Sequence, residues 1–266
     1  MLFWGYSLAV IMGLILGLIG AGGSILTMPI LVYFLHISPV VATGYSLLVV
    51  GTAALFGATR YWQIGKVDLK IALIFAMPAM IAVWLARKIL LPALPTMMLG
   101  ISKDSFIMLL FALLMVVASI FMLKPVYEQR MSGSPPSGFL YTIKLILGSF
   151  AVGLLTGMVG AGGGFLIIPS LIALFNISMK MAVGTSLAII AMNSFVGFSG
   201  DLSLGIELNW WLLMVFITLT LIGMGIGTSI AHYVNDKTLR NGFGFLAFFV
   251  GVGIFVHELF LIMGVS

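Results

Sequence analysis

The sequence carries the same helix-breaking glycine cluster twice, each time inside an apolar run. Gly20-Ala21-Gly22-Gly23-Ser24, with Pro29 five residues beyond, interrupts the run from Leu2 to Leu35. Gly160-Ala161-Gly162-Gly163-Gly164, with Pro169, repeats it 140 positions later. Glycine gives up the most backbone freedom on ordering, so such a cluster is costly inside a helix. Two copies in register imply a purpose: each is expected to break a helix at depth and aim backbone N–H groups at a small anion.

The surroundings of the clusters are membrane-like. Charged residues make up 7% of the chain and hydrophobic residues 62%, against about 25% charged in a soluble domain. Lipid is therefore the main solvent. A spanning helix needs roughly 20 apolar residues. Runs of that kind fall at 3–20, 24–36, 39–59, 69–91, 105–123, 139–159, 164–176, 179–200, 209–234 and 242–264. Two of them, 24–36 and 164–176, are short, about 20 Å of helix each, and both follow a glycine cluster directly. Each unit is either a re-entrant hairpin or two short helices meeting at depth. The N-terminus lacks a basic region before its apolar run, so it reads as a membrane segment and not a cleaved signal peptide.

A polar stretch rich in Pro, Gly, Ser and charge, residues 124–138, reads as a linker. It separates a first half, 1–123, from a second, 139–266. Aligned without a gap, 13–65 and 153–205 share 18 of 53 positions, including Gly13, Gly17, Pro29, Ser38, Gly44, Ser46, Gly57 and Gly65. Gly, Pro and Ser at one fixed offset indicate internal duplication. Charge then sets topology. Nine of the twelve basic residues (Arg60, Lys66, Lys70, Lys124, Arg130, Lys144, Lys180, Lys237 and Arg240) fall on one face, with Arg87, Lys88 and Lys103 on the other. The positive-inside rule makes the first face, with the linker, cytoplasmic and the N-terminus outside. An odd number of crossings separates the copies, so the halves are inverted. The expected fold class is an all-α polytopic membrane protein of two inverted repeats, about five helical segments each, with broken or re-entrant helices at the glycine motifs. That is the pattern of secondary transporters, whose site lies near the midplane at the repeat interface.

A helix starting at such a cluster has unpaired N–H groups and the positive end of its dipole. Two of these ends facing each other make an anion site with no formal cation. The candidate binding groups are thus the backbone of Gly22, Gly23, Ser24, Gly162, Gly163 and Gly164. Side chains that add neutral donors are Tyr45 and Ser46, their counterparts Thr185 and Ser186, and Asn193, with Ser194 beside it. Close helix packing is the other use of small residues in membranes, and helix back-bonding the other use of hydroxyls. The acidic residues Asp68, Asp104, Asp201, Glu207 and Asp236 fall at segment ends, and His257-Glu258 reads as interfacial. No carboxylate relay, metal-ligand spacing or nucleophile site is visible. Cysteine is absent, which removes disulfides and thiolate chemistry. An enzyme is not expected, nor a cofactor, a metal or a nucleic-acid partner. The expected partners are a small anion and the bilayer, and the sequence is compatible with a homodimer.

The doubled Gly-x-Gly-Gly-[Gly/Ser]…Pro, each copy followed by Ala-x-Gly-[Thr/Tyr]-Ser-Leu at Ala42–Leu47 and Ala182–Leu187, resembles the TauE/SafE sulfite exporter family. The likeness covers both halves. The first copy departs from the commoner pattern at Ser24 and Tyr45. The resemblance implies transport of sulfite, thiosulfate, sulfoacetate or a related sulfonate across a bacterial inner membrane. An anion channel or an importer on the same scaffold is the alternative.

Overall fold

The computed structural model of the chain describes residues 2–20, 22–95, 97–98, 101–123, 139–160, 162–202, 209–231 and 233–263. The 124–138 linker, Glu207 and His232 lie outside the described residues, as does the side chain of Ser24. Ten helices account for most of the rest. In chain order they are α1 (Leu2–Ile19), α2 (Gly22–Pro29), α3 (Pro39–Gln63), α4 (Leu69–Ala93) and α5 (Lys103–Leu123). Then come α6 (Phe139–Val159), α7 (Gly164–Phe175), α8 (Met179–Leu202), α9 (Trp210–Ala231) and α10 (Asp236–Ile262). A two-residue hairpin pairs Met97 with Ser102 and Met98 with Ile101. Seven helices are long and apolar enough to span a membrane. The protein is an all-α, multi-pass membrane protein.

Local chemistry sets the helix ends. Pro39 follows Ser38 at the first position of α3, where its missing N–H costs nothing. The Asp68 carboxylate accepts from the Ile71 N–H and caps α4. Asn209 and Asn235 do the same for α9 and α10, accepting from Leu212 N–H and Thr238 N–H. At Pro29 the α2 helix passes into a π-helical stretch, Ile30–Phe34. Another such stretch, Ala86–Leu90, interrupts α4. The last helix starts six residues before the apolar run at 242, because Asn235 supplies a cap that hydropathy does not register.

The core sits between the halves. The most apolar windows of α3 and α8 are 67% and 72% buried, whereas that of α10 is 22% buried. The outer face of α10, with Phe245, Phe249, Val256 and Phe260, is exposed and apolar, as a lipid-facing surface must be. Leu47 packs on Gly197, Gly57 on Leu187, and Gly44 beside Asp201, so residue numbers rise along α3 as they fall along α8. The two helices therefore run antiparallel.

Contacts recur at the 140-residue offset. Gly57–Leu187 matches Gly197–Leu47, and Gly44–Asp201 matches Gly184–Tyr61. Likewise α1 lies along α9 as α6 lies along α4. Both of these seams depend on small residues, which let backbones approach closely in membranes. A Cβ on Gly17 would lie 2.6 Å from the Met224 carbonyl oxygen and 2.7 Å from the Thr228 nitrogen. By contrast, nothing lies within 4 Å of that position on Gly253 in α10. Gly17→Val is therefore expected to destabilise the fold by about 2–3 kcal/mol through overpacking. Gly253→Val is expected to be near neutral. Thermal unfolding of the two purified variants checks this, and an unshifted Gly17→Val transition would contradict the α1–α9 seam.

Candidate functional site

Both glycine clusters break their helices as the spacing predicts. Gly20 N–H donates to Leu16 O at 2.7 Å and Gly160 N–H to Thr156 O at 2.9 Å, closing α1 and α6. Both glycines are left-handed, with φ of 77° and 71°, the usual C-terminal helix cap. In the second copy Gly162 and Gly163 are left-handed as well, and α7 starts at Gly164 with no side-chain cap. Residues 162–164 are buried. The short helix begins inside the protein, and its first N–H groups have no intrahelical partner.

The clusters abut the long helix of the opposite half. A Cβ on Gly20 would lie 2.6 Å from a methyl of Val183 on α8, and Gly160 fits against Thr43 on α3. The short helices α2 and α7 also touch. Next to Gly162, a Cβ would lie 2.8 Å from Val50 and 3.1 Å from Ser194 Oγ. Ser194 itself packs on Gly51. Ser46, Asn193 and Ser194 are at most 2% exposed. Ser46 Oγ, both amide atoms of Asn193 and Ser194 Oγ have no hydrogen-bond partner among the described residues. Leaving one such group unmade costs about 1–3 kcal/mol. Several of them lie on the two most buried helices, near an uncapped helix start, and are polar groups of the kind that hydrogen-bond a polar ligand.

Tyr45, Thr185 and Ser186 have protein partners. The Tyr45 hydroxyl accepts from Asn209 N–H at 2.5 Å. Thr185 Oγ1 accepts from Asp68 N–H at 3.0 Å. These two side chains, equivalent by the repeat, each tie the segment leading into the fourth helix of a half. Ser186 Oγ donates to Val183 O at 2.8 Å, a local back-bond that leaves its lone pairs free. Gly22 and Gly23 lie at the start of α2.

Arg87, counted with Lys88 and Lys103 as a charge of the outer face, lies within the 69–91 segment and is fully buried. Its Nη1 donates to Thr43 Oγ1 at 2.7 Å, and its Nη2 lies 3.3 Å from Asp201 Oδ2. Asp201 ends a segment, as its position predicts, but is only 2% exposed. The sequence signals for this pair were weak. Arg87 stands beside Lys88 like a topogenic pair, and only the apolar residues beyond it, Ile89–Leu91, argue for burial. Glu258, near the end of α10, is likewise buried. It accepts from Tyr33 Oη at 2.9 Å, with the His257 ring edge-on to Tyr33.

The opposite end of the α3–α8 pair is different in character. Tyr61, the repeat counterpart of Asp201, donates to Gly17 O at 3.2 Å. It borders a cleft of about 120 Å³ lined with Arg60, Gln63 and Thr228. A smaller one beside it is lined with Lys66 and Lys180. Thr43 and Tyr61 are 18 residues apart on one helix, about 27 Å. One end of the crossing thus holds a sealed ion pair and the other a basic vestibule.

Comparison with known proteins agrees with this architecture. The model of the sulfite exporter TauE/SafE family matches residues 6–254. A probable membrane transporter protein of Xylella fastidiosa is 31% identical over 256 residues, spanning 92% of this chain and 91% of that relative. The probable membrane transporter protein YunE of Bacillus subtilis is 28% identical over 266 residues, spanning 88% and 91%. No solved structure matches the chain. The protein belongs to the TauE/SafE sulfite exporter family, and is a multi-pass membrane transporter.

Proposed function

We propose that the protein exports a sulfur-containing or organic anion, such as sulfite, thiosulfate, sulfoacetate or a related sulfonate, across the bacterial inner membrane. It works by alternating access between two inverted halves, 1–123 and 139–266, joined by the 124–138 linker. The observation that carries the reading is the set of buried, unpartnered donors on Ser46, Asn193 and Ser194 beside Gly162–Gly164. Neutral hydroxyl, amide and backbone N–H donors suit an oxyanion, and the dipole of α7 adds about half a positive charge. Gly22, Gly23 and Ser24 serve the same role in the first half. Tyr45, Thr185 and Ser186 shape the site from the ends of α3 and α8. The chain acts as a carrier and performs no catalysis.

The contacts that recur at the 140-residue offset, and the antiparallel course of α3 and α8, support inverted halves. Orientation rests on charge. With Arg87 buried, the basic residues divide nine against two (twelve less Arg87, nine of them on the linker face), which supports a cytoplasmic linker. The basic clefts around Tyr61 then open inward, where positive potential raises the local anion concentration. Moving one negative charge out of a cell that is negative inside gains about 2.3 kcal/mol per 100 mV, so export needs no coupling ion.

In proteoliposomes, efflux of at least one of these anions is expected to saturate, to show counterflow and to follow an imposed potential. Flux of every one that ignored both gradient and potential would refute export. Unitary currents would identify a channel instead, and uptake against the potential an importer.

Ser194→Ala and Asn193→Leu remove groups that the fold leaves unpartnered. They are expected to leave stability unchanged or raise it by up to about 1 kcal/mol, while cutting counterflow at least tenfold. Melting curves and transport by the folded variants check this together. Loss of stability with transport intact would mean that these side chains serve packing.

A further inference from the structure

We propose that Arg87 is an anion-binding side chain of the transport path, and that the Asp201 carboxylate occupies its fork in this state in place of the transported anion. The inference rests on the transporter reading above and adds the cation that recognises the substrate.

The pair is built oddly for a structural one. Arg87 is completely buried, yet of its nitrogens only Nη1 is hydrogen-bonded, to Thr43. Its Nε and Nη2, and both oxygens of Asp201, have no hydrogen-bond partner among the described residues. The single ion contact is 3.3 Å, longer than the roughly 2.7–2.9 Å of a charge-assisted bond, and is not the bidentate fork that guanidinium and carboxylate can form. A buried ion pair is weak support for stability even at good geometry, because both charges have left water. A fork this loosely filled can accept a better ligand.

The backbone approaches the pair closely where only glycine fits. A Cβ on Gly160 would lie 2.7 Å from Arg87 Nη2, and one on Gly44 would lie 3.0 Å from Asp201 Oδ2. One on Gly200 would lie 3.3 Å from the Arg87 Cβ. Glycines from three different segments thus surround one pair. Gly160 is also two residues from Gly162, which touches Ser194, and Thr43 is one helical turn from Ser46. The guanidinium is thus linked to Ser46 through Thr43 and one turn of α3, and to Ser194 through the Gly160–Gly162 break.

The pair joins the halves and has no copy in the repeat. Arg87 comes from the first half and Asp201 from the second, while their counterparts are Gly227 and Tyr61. Asp201 is one residue from the end of α8, and its neighbour Leu202 is 50% exposed. A small rotation of that last turn carries the carboxylate to water and leaves the fork to an incoming oxyanion. Two oxygens on one centre, as in sulfite, a sulfonate or a carboxylate, match the guanidinium; a halide does not.

Calorimetric titration of the purified full-length protein with sulfite, sulfoacetate, acetate and chloride tests this. Asp201→Asn removes the competitor. It is expected to tighten oxyanion binding at least tenfold, with little change for chloride. Arg87→Gln is expected to weaken oxyanion binding at least tenfold. The two halves of one ion pair thus move in opposite directions, which a purely structural pair cannot produce. The neutral pair R87Q/D201N leaves no unpaired buried charge and is expected to fold without the affinity gained by Asp201→Asn. Should a single variant fail to fold, Arg87→Lys, which keeps the charge but not the fork, is expected to lower sulfite affinity at least threefold. Parallel losses in both single variants, or wild-type affinity in Arg87→Lys or the neutral pair, would overturn the assignment. Wild-type transport with no gain in Asp201→Asn refutes the role of Arg87 alone. Absence of anion binding in both wild type and Asp201→Asn refutes the transporter reading as well.

Discussion

A helix interrupted within a membrane exposes N–H and C=O groups that hydrocarbon cannot solvate, and the rest of this structure depends on how that cost is met. Part of it is met locally, by the left-handed Gly20 and Gly160 that close α1 and α6. The remainder is met across the molecule. Gly20 is covered by Val183 of α8 and Gly160 by Thr43 of α3. Each half shields the break of the other, so α3 and α8 become the most buried helices. The shielding also explains why the breaks are glycine: a side chain at Gly20 or Gly160 would hold the covering helix away.

On this nearly symmetric scaffold the chemistry is one-sided. Asn193 and Ser194 answer to Ala53 and Ala54, Asp201 to Tyr61, and Arg87 to Gly227. Tyr45 and Thr185, by contrast, do the same job twice with different side chains, each accepting a backbone N–H ahead of the fourth helix of a half. Residues that maintain the fold keep the repeat in function even where identity has drifted. Among the residues with unpartnered polar atoms, Asn193, Ser194, Arg87 and Asp201 differ from their counterparts, whereas Ser46 is matched by Ser186.

That distinction marks what the sequence could convey. The helix breaks, the short α7 and the long segments were legible, because glycine clusters and hydropathy are local properties. Gly162 beside Ser194 was legible in part, since adjacency of the cluster to the Ser46 and Asn193 region follows from the repeat. The Arg87–Asp201 pair was not. Charge counting takes the Arg-Lys doublet near the end of segment 69–91 as a topogenic charge and says nothing of burial. Nothing local tells that α4 continues through a π-helical stretch and turns Arg87 inward. Asp201 reads as a terminal charge for the same reason: its burial is produced by Gly44 and Arg87, both over 110 residues away. Glu258 repeats the lesson, since its partner Tyr33 is separated from it by 225 positions.

A carrier must release what it binds, and this limits how a cation can be used. A lone guanidinium in a low-dielectric interior would hold an oxyanion too firmly to let it go, since Coulomb attraction grows as solvent is excluded. Neutral donors alone give specificity but little pull on a charged ligand out of water. A carboxylate that competes for the same guanidinium reduces net affinity to the difference between two similar interactions, and supplies a partner for the cation once the substrate has left. The empty site is then never an uncompensated buried charge, which is the costliest state available to it. On the proposed anion-carrier reading, the long 3.3 Å contact between Arg87 and Asp201 would act as functional slack, and the basic clefts at the Tyr61 end would gather anions without binding them tightly.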